Sequence, residues 1–374
     1  MTPVVPVIAV FNNSDEKPTI STSFIQSWFT NKLEVLYCNS STSLDYIYEN
    51  KVSAIVTVGP KVQFKNLLYT NIPILSFNKI EDVNGDLIYN FYIKQITSDV
   101  NPTISLFTPA YKSYDRIIRA YKSLLVQSYY NWEWIILDDS PDDHFSFLCD
   151  KFGSDNRVKI YKQNRQDGFV GSTKRQAASL CNGDYLIELD HDDELHHLAL
   201  EYVVSAFKKF PDAGFCYTNS CEVFETGGNV TYGNGYGVGY GRHFKRYYEG
   251  RELIGSDTPI NEFTMRHIVG VPNHIRCWKR DVYHQLNRHN NKLFVVDDYE
   301  LMVRTFLNTK IIHIQELLYI QYMNAGGNNT QESRRPEIQR LVDQLEKHYN
   351  KRITERVIKL KKEFSDPLRL CYVY

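Results

Sequence analysis

The chain has 374 residues, with 43 Lys plus Arg against 44 Asp plus Glu and a formal net charge of −1. That balance argues against bulk nucleic-acid binding. Its length exceeds what one core usually absorbs, and its hydrophobic content of 43% suffices for full-sized domains. No apolar run reaches the ~20 residues of a membrane span, so no integral membrane segment is expected. The opening MTPVVPVIAVFNNSDEKP lacks the basic region of a signal peptide. Seven cysteines without a CxxC pair suggest a reducing compartment rather than a zinc site or disulfide framework. A cytoplasmic location is expected; the Asn-, Tyr-, Ile- and Lys-rich composition suggests an AT-rich genome, of a large virus (then the host cytoplasm) or of a low-GC microbe.

The first hundred residues alternate strand and helix signals. Apolar, β-branched runs at 3–10, 33–38, 53–59 and 72–77 predict strands, and 43–50 and 62–70 predict intervening helices. The pattern is that of a small parallel α/β unit. It contains no GxGxxG and no P-loop, so an accessory role is expected. SDVNPT (98–103) is a polar, proline-containing break. Domain boundaries are placed at 1–100, 101–330 and 331–374.

A second α/β series follows at once. ISLFTPAY (104–111) predicts a strand ending in a turn. Residues 114–129 predict a helix with Ile117, Ile118, Tyr121, Leu124 and Leu125 at helical spacing. WEWIILDDSPDD (132–143) predicts a strand ending in acids, and RVKIYKQN (157–164) another strand. STKRQAASLCNG (172–183) predicts a helix closed by Gly183. In GDYLIELDHDDEL (183–195), Tyr185, Leu186, Ile187 and Leu189 predict a buried strand running into Asp190, Asp192, Asp193 and Glu194 around His191. Carboxylates this close resist ionising together unless something positive sits among them. Two strands therefore end in acids at their C-terminal ends, the edge where open α/β sheets bind ligands. Residues 227–241 hold seven glycines without GK[ST] and are expected to form a mobile or gating loop rather than a phosphate cradle. Residues 337–364 predict a helix whose stripe of Leu341, Leu345, Ile353, Val357 and Leu360 packs on a neighbouring domain or a second subunit, leaving a homodimer open.

The acidic cluster admits several readings. Hard divalent cations such as Mn2+ or Mg2+ prefer carboxylate oxygens. An EF-hand counted from Asp190 puts Leu195 where the loop needs glycine, and no helix precedes it. A haloacid-dehalogenase-like phosphatase would need Thr or Val at the position of Glu194 and an early strand. A solvated helix N-terminus accounts for Asp193 and Glu194 but not for acids after both strands.

Four ordered segments carry a resemblance to glycosyltransferase family 2. FTPAYKS (107–113) is similar to the family's opening strand and turn, and IILDDSPDD (135–143) to its VDDGSxD segment. GDYLIELDHDDEL resembles the segment with the DxD motif, and VVDDYELMVR (295–304) the later ED-x-L-x-x-R motif. Residues 104–330 are covered and 1–100 are not. The resemblance implies a GT-A core, an α/β Rossmann-like nucleotide-diphospho-sugar transferase fold, with a small N-terminal α/β domain and a C-terminal helical extension. It implies a metal-dependent, inverting hexosyltransferase taking a nucleotide diphosphate sugar, UDP-sugar favoured, to a hydroxyl on a glycan or similar acceptor. It also implies site residues. Asp190 and Asp192 would hold the metal. Pro109, Ala110 and Tyr111 would line the base pocket, and Asp139 would accept from the base. Lys174, or Arg175 beside it, would reach the diphosphate, and His191 the ribose or sugar. Asp298 would be the catalytic base, with Arg304 steadying that acid or the phosphates. Asp297 stands where the family usually has Glu. His274, Trp278 and Asp297 are acceptor-side candidates, and His313 with 322–331 would close the site. A phosphatase and a non-catalytic nucleotide- or glycan-binding GT-A domain are the alternatives.

Overall fold

A computed structural model describes residues 7–11, 34–39, 41–42, 52–58, 74–77 and 79 of the N-terminal hundred. It describes 102–374 apart from 164–167, 232–239, 268–271 and 324–333. The chain divides into two compact units. One is Met1–Asn101 with the segments Tyr121–Tyr130 and Tyr248–Arg251, and the other is the remainder from Pro102.

In the first unit, β1 (Val7–Phe11), β2 (Glu34–Cys38), β3 (Val52–Val58) and β4 (Ile74–Phe77) form a parallel sheet in the order β2-β1-β3-β4. All four fall within a residue or two of the predicted strands, except that β1 starts four residues later. Ala9, Val10, Ile55 and Val56 are buried, as strands covered on both faces require. The predicted helices at 43–50 and 62–70 lie outside the described residues.

The second unit is built on one large sheet. β5 (Ile104–Ala110), β6 (Trp132–Asp138), β7 (Val158–Lys162) and β8 (Tyr185–Glu188) are parallel in the order β7-β6-β5-β8. α1 (Asp115–Leu125), α2 (His144–Phe152) and α3 (Val170–Ser179) connect them. The order reverses between β5 and β8, so the crevice beyond the carboxyl ends of those two strands is the ligand position such sheets provide. After β9 (Glu194–Leu195) and α4 (Ala199–Lys209), the sheet continues through β10 (Ala213–Phe224), β11 (Arg242–Tyr248) and β12 (Arg251–Asp257). α5 (Thr264–His267), β13 (Arg276–Lys279), α6 (Arg280–Gln285) and α7 (Asp297–Asn308) follow. β13 inserts antiparallel between β8 and β10. β14 (Lys310–Met323) runs parallel to β10 and antiparallel to β9. α8 (Arg335–Leu360) and β15 (Tyr372–Val373) complete the order.

Local chemistry explains two departures from the predicted elements. α3 ends at Ser179 with Leu180 as its cap, so Gly183 is not the residue that closes it. A Cβ on Gly183 would lie 2.6 Å from the Thr103 carbonyl and 2.7 Å from Ser105 Oγ, so the glycine is needed for close backbone approach. In α8, Val342, Tyr349, Ile353, Val357 and Leu360 are buried in the same cluster as Leu301, Met302 and Phe306 of α7, while Leu341 and Leu345 pack at its edge. Arg356 of α8 also donates to the carbonyls of Phe306 and Thr309, tying down the C-terminal end of α7. The apolar stripe of α8 is thus satisfied within the unit.

Candidate functional site

The crevice is framed by short bonds between strand ends. Thr108 Oγ donates to the Leu189 carbonyl at 2.6 Å and accepts from Trp134 Nε1 at 2.8 Å, locking β5 to its neighbours just below their termini. Beyond β5, Lys112 and Tyr114 have φ of +47° and +35°, a region that costs a non-glycine residue of order 1–2 kcal/mol. Side chains from the β6 end hold this turn. Ser140 Oγ accepts from the Lys112 N–H at 2.8 Å, and His144 Nε2 lies 2.9 Å from Ser113 Oγ and 3.2 Å from the Tyr114 N–H. His144 Nδ1 is 2.8 Å from Asp138 Oδ1, and Lys162 Nζ is 2.7 Å from Asp138 Oδ2. Burial pushes Asp138 up, but these bonds outweigh it and bring its pKa down to about 2. Asp138 is therefore the turn's anchor. Asp139, whose N–H donates to the Ala110 carbonyl at 2.8 Å, is half-buried beside it. Pro109 is half-buried, Ala110 buried, and Tyr111 stands 52% exposed.

Across the crevice, His191 Nδ1 lies 3.3 Å from the Pro109 carbonyl. Asp190 is half-buried, and burial, followed by Glu188 and Asp192, pushes its pKa up to about 6. Donor atoms of Asp190, Asp193 and His274 lie within 4.8 Å of one another. Asp192, the other expected metal ligand, is half-buried, and its carbonyl accepts from Arg119 at 2.7 Å. Asp193 is enclosed, accepting from Tyr319 OH at 2.7 Å and the Tyr322 N–H at 2.8 Å. Burial and then Asp192 and Asp190 raise its pKa well above the carboxylate range. Burial and Arg276 hold His274 well below the imidazole range, so it is neutral, and its Nδ1 makes no hydrogen bond. Two carboxylates with spare lone pairs and a neutral imidazole are a donor set suited to a divalent ion such as Mn2+.

Beneath this group lies a charge network that the sequence reading missed. Glu188 is fully buried, with Lys174 Nζ 2.5 Å and Arg276 Nη1 3.5 Å away and His289 Nε2 at 3.6 Å. Burial disfavours its charge, yet Lys174 and Arg276 outweigh that and hold its pKa well below the ordinary value. Lys174 is thereby committed to the interior. Arg276 reaches on, its Nη2 3.1 Å from Asp298 Oδ2. Burial raises Asp298, but Arg276 and Lys174 more than offset it, so its pKa is lowered, with the side chain 28% open. Asp297 is buried, its Oδ2 has no hydrogen bond, and its pKa is raised by burial. Both acids open α7, after Val296 at φ +59°, an outlying conformation for a β-branched residue. A Cβ on Gly171 would meet the Asn290 carbonyl at 2.8 Å and Asp297 Cβ at 2.9 Å, so that glycine lets α3 approach the acids. The signal for Glu188 was available: an acid within an apolar strand demands a buried partner.

Other candidates lie elsewhere. Trp278 is fully enclosed between Phe215, Tyr283 and His289 and donates to Thr305 Oγ at 3.0 Å, so it presents no face to a sugar. His313 is buried, stacked on Tyr217 and 2.7 Å from Asn219 Oδ1. Arg175 holds the carbonyls of Asn287 and His289, and Arg304 holds those of Leu286 and Arg288 together with the Glu300 carboxylate. Segment 322–331 is described only at Tyr322 and Met323, and the glycine-rich loop only at 227–231 and 240–241.

Among the described residues, no helix is long and apolar enough to cross a membrane. Residues 105–286 match the model of Glycosyl transferase family 2. The chain is 25% identical over 249 residues to chondroitin synthase of Escherichia coli, covering 66% of this chain and 32% of the synthase. It is 30% identical over 116 residues to the E. coli UDP-Glc:alpha-D-GlcNAc-diphosphoundecaprenol beta-1,3-glucosyltransferase WfgD, covering 31% of this chain and 45% of that protein. The match thus spans about a third of the first relative and under half of the second. A solved structure of S. aureus TarS 1-349 in complex with UDP aligns with a TM-score of 0.47 and 15% identity, over 68% of this chain and 70% of that one.

Proposed function

We propose, from the premise that residues 105–286 make this chain a member of glycosyl transferase family 2, that it transfers a hexosyl group from a nucleoside diphosphate to a hydroxyl acceptor with inversion. A UDP-sugar is the favoured donor, a choice supported by the WfgD relative, whose name carries UDP-Glc. A glycan or similar molecule is the acceptor class. The N-terminal unit is assigned an accessory role.

The observation that carries this reading is the pairing of Asp298 with Arg276, 3.1 Å apart and with the carboxylate part-open. A general base must be ionised and within hydrogen-bond reach of the proton it takes. Asp298 takes the acceptor hydroxyl proton as the oxygen bonds to the anomeric carbon. The bond from that carbon to the diphosphate breaks, and its electron pair leaves with the nucleotide. Attack opposite the leaving group inverts the centre. On the donor side, Asp139 accepts the base N–H, Pro109, Ala110 and Tyr111 flank the base, and His191 contacts the ribose. Asp190, Asp193 and His274 would hold a divalent ion, Mn2+ or Mg2+, which when bound supplies Lewis-acid neutralisation of the leaving diphosphate. Lys174 balances the acids from below through Glu188.

The test is calorimetric titration of UDP, GDP and dTDP, with and without Mn2+, into the wild type and Asp190→Asn. UDP binding that needs Mn2+ and weakens at least about tenfold in the variant is expected. Absence of nucleotide binding under every metal condition would remove the donor-site assignment.

A further inference from the structure

A cavity of about 320 Å3 lies beside the segment that joins α6 to α7. That is the lower end of the ~300–1,000 Å3 typical of small-molecule sites. Its wall carries three cations, Arg175, Lys292 and Arg304, and one carboxylate, Glu300. Asn287, Asn290 and Asn291 complete the lining. Glu300 is already engaged, by Arg304 at 2.6 and 2.8 Å and by the Tyr349 hydroxyl at 2.9 Å. Among the described residues, no carboxylate lies within 4.0 Å of Arg175, of Lys292 or of the adjacent Arg288.

Arg175 is half-buried and its bonds go to neutral oxygens, the carbonyls of Asn287 and His289 and the Asn287 side chain. Burial and the like charge of Arg288 pull its pKa below the guanidinium range. A half-buried guanidinium crowded by cations, with no carboxylate counter-charge within 4.0 Å among the described residues, is an arrangement that an anion would complete. The asparagines add donors and acceptors of the kind that bind hydroxyls. The cavity is separate from the crevice. At 3.6 residues per turn, Glu300 and Arg304 lie roughly 200–240° around α7 from Asp298.

We infer that this cavity is an oxyanion site, taking a carboxylate or phosphate carried by a sugar or supplied as the free ion. The test is titration of glucuronic acid, glucose 6-phosphate, glucose and inorganic phosphate into the full chain, followed calorimetrically. Lys292→Glu and Asn291→Asp, both exposed positions, are compared with wild type. At least one anionic ligand is expected to bind tenfold or more tightly than glucose. Lys292→Glu is expected to weaken it at least tenfold and Asn291→Asp about threefold, with unchanged thermal midpoints. Tighter binding of the anionic sugars than of inorganic phosphate identifies the sugar-borne group, and equal binding identifies the free oxyanion. If no anion outbinds glucose, or if both variants bind as wild type does, the inference is overturned. Should Lys292→Glu fail to fold, the isosteric Asn291→Asp decides alone. Binding is read without turnover, so the result stands independently of the transferase reading.

Discussion

The Tyr319 hydroxyl donates a 2.7 Å hydrogen bond to Asp193 Oδ2. The Tyr319 oxygen in turn accepts from the Asp190 N–H at 3.2 Å, and the ring stacks on His274 with centroids 4.1 Å apart and planes 8° from parallel. One phenol on β14 therefore touches all three candidate cation ligands. Tyr319→Phe keeps the stack and removes both hydrogen bonds. Mn2+ affinity measured by calorimetry is expected to fall about 10- to 100-fold, the usual effect of losing a group that orients a ligand. Unchanged affinity would show that Asp193 needs no such support.

Arg276 sets the charge state of Asp298. With Arg276→Gln, burial is no longer countered as strongly and the Asp298 pKa rises. The acid limb of the kcat/KM profile should move to higher pH. Glu188 keeps Lys174 but loses one of its two close cations, so a stability loss of about 3–5 kcal/mol is expected for a broken buried pair. An acid limb that stays in place would separate Arg276 from the base.

Asp138 makes stability fall in acid. Its folded pKa is about 2 against an ordinary 3.8. The contribution is fully present above pH ~4 and is lost as pH falls through about 2. Part of the effect comes from Lys162, which is 37% exposed and screened by solvent, so about 1–2 kcal/mol is expected. Denaturant unfolding of wild type and Asp138→Asn at pH 7 and pH 2 checks this: the difference between the two proteins should shrink by that amount in acid.

Gly171 marks where α3 meets the acids of α7. Gly171→Ala must displace the Asn290 backbone or Asp297, at an overpacking cost of about 1–3 kcal/mol. kcat is expected to fall more than nucleotide affinity, because the displaced groups border the proposed base, Asp298, rather than the proposed nucleotide contacts. An unaltered kcat would mean the α3–α7 contact does not position Asp298.

Much of this was legible in the sequence where a local rule governs. β-branched runs marked the strands of both units, and the acids after Leu137 and Leu189 marked the carboxyl ends of β6 and β8. What escaped depends on contacts between distant segments. Glu188 sits in an apolar run, and its partners Lys174 and Arg276 come from a helix before it and a strand 88 residues later. Asp193 joins Asp190 and His274 through bonds to Tyr319 and Tyr322, more than 120 residues on, which hold its carboxylate inward. Trp278 looked like a sugar platform by residue type, but its strand β13 lies inside the sheet between β8 and β10, where an aromatic ring packs. Spacing reports which residues share a strand end, and tertiary hydrogen bonds decide which of them turns toward the ligand.

The most direct test of the account compares Asp298→Asn with wild type in two assays on the same preparations. These are UDP binding with Mn2+ and UDP release from a UDP-sugar offered with glycan acceptors. The account predicts UDP binding close to wild type and release lowered about 100-fold or more, the loss expected when a general base is neutralised. Wild-type release by Asp298→Asn would contradict it and move the catalytic base to another residue.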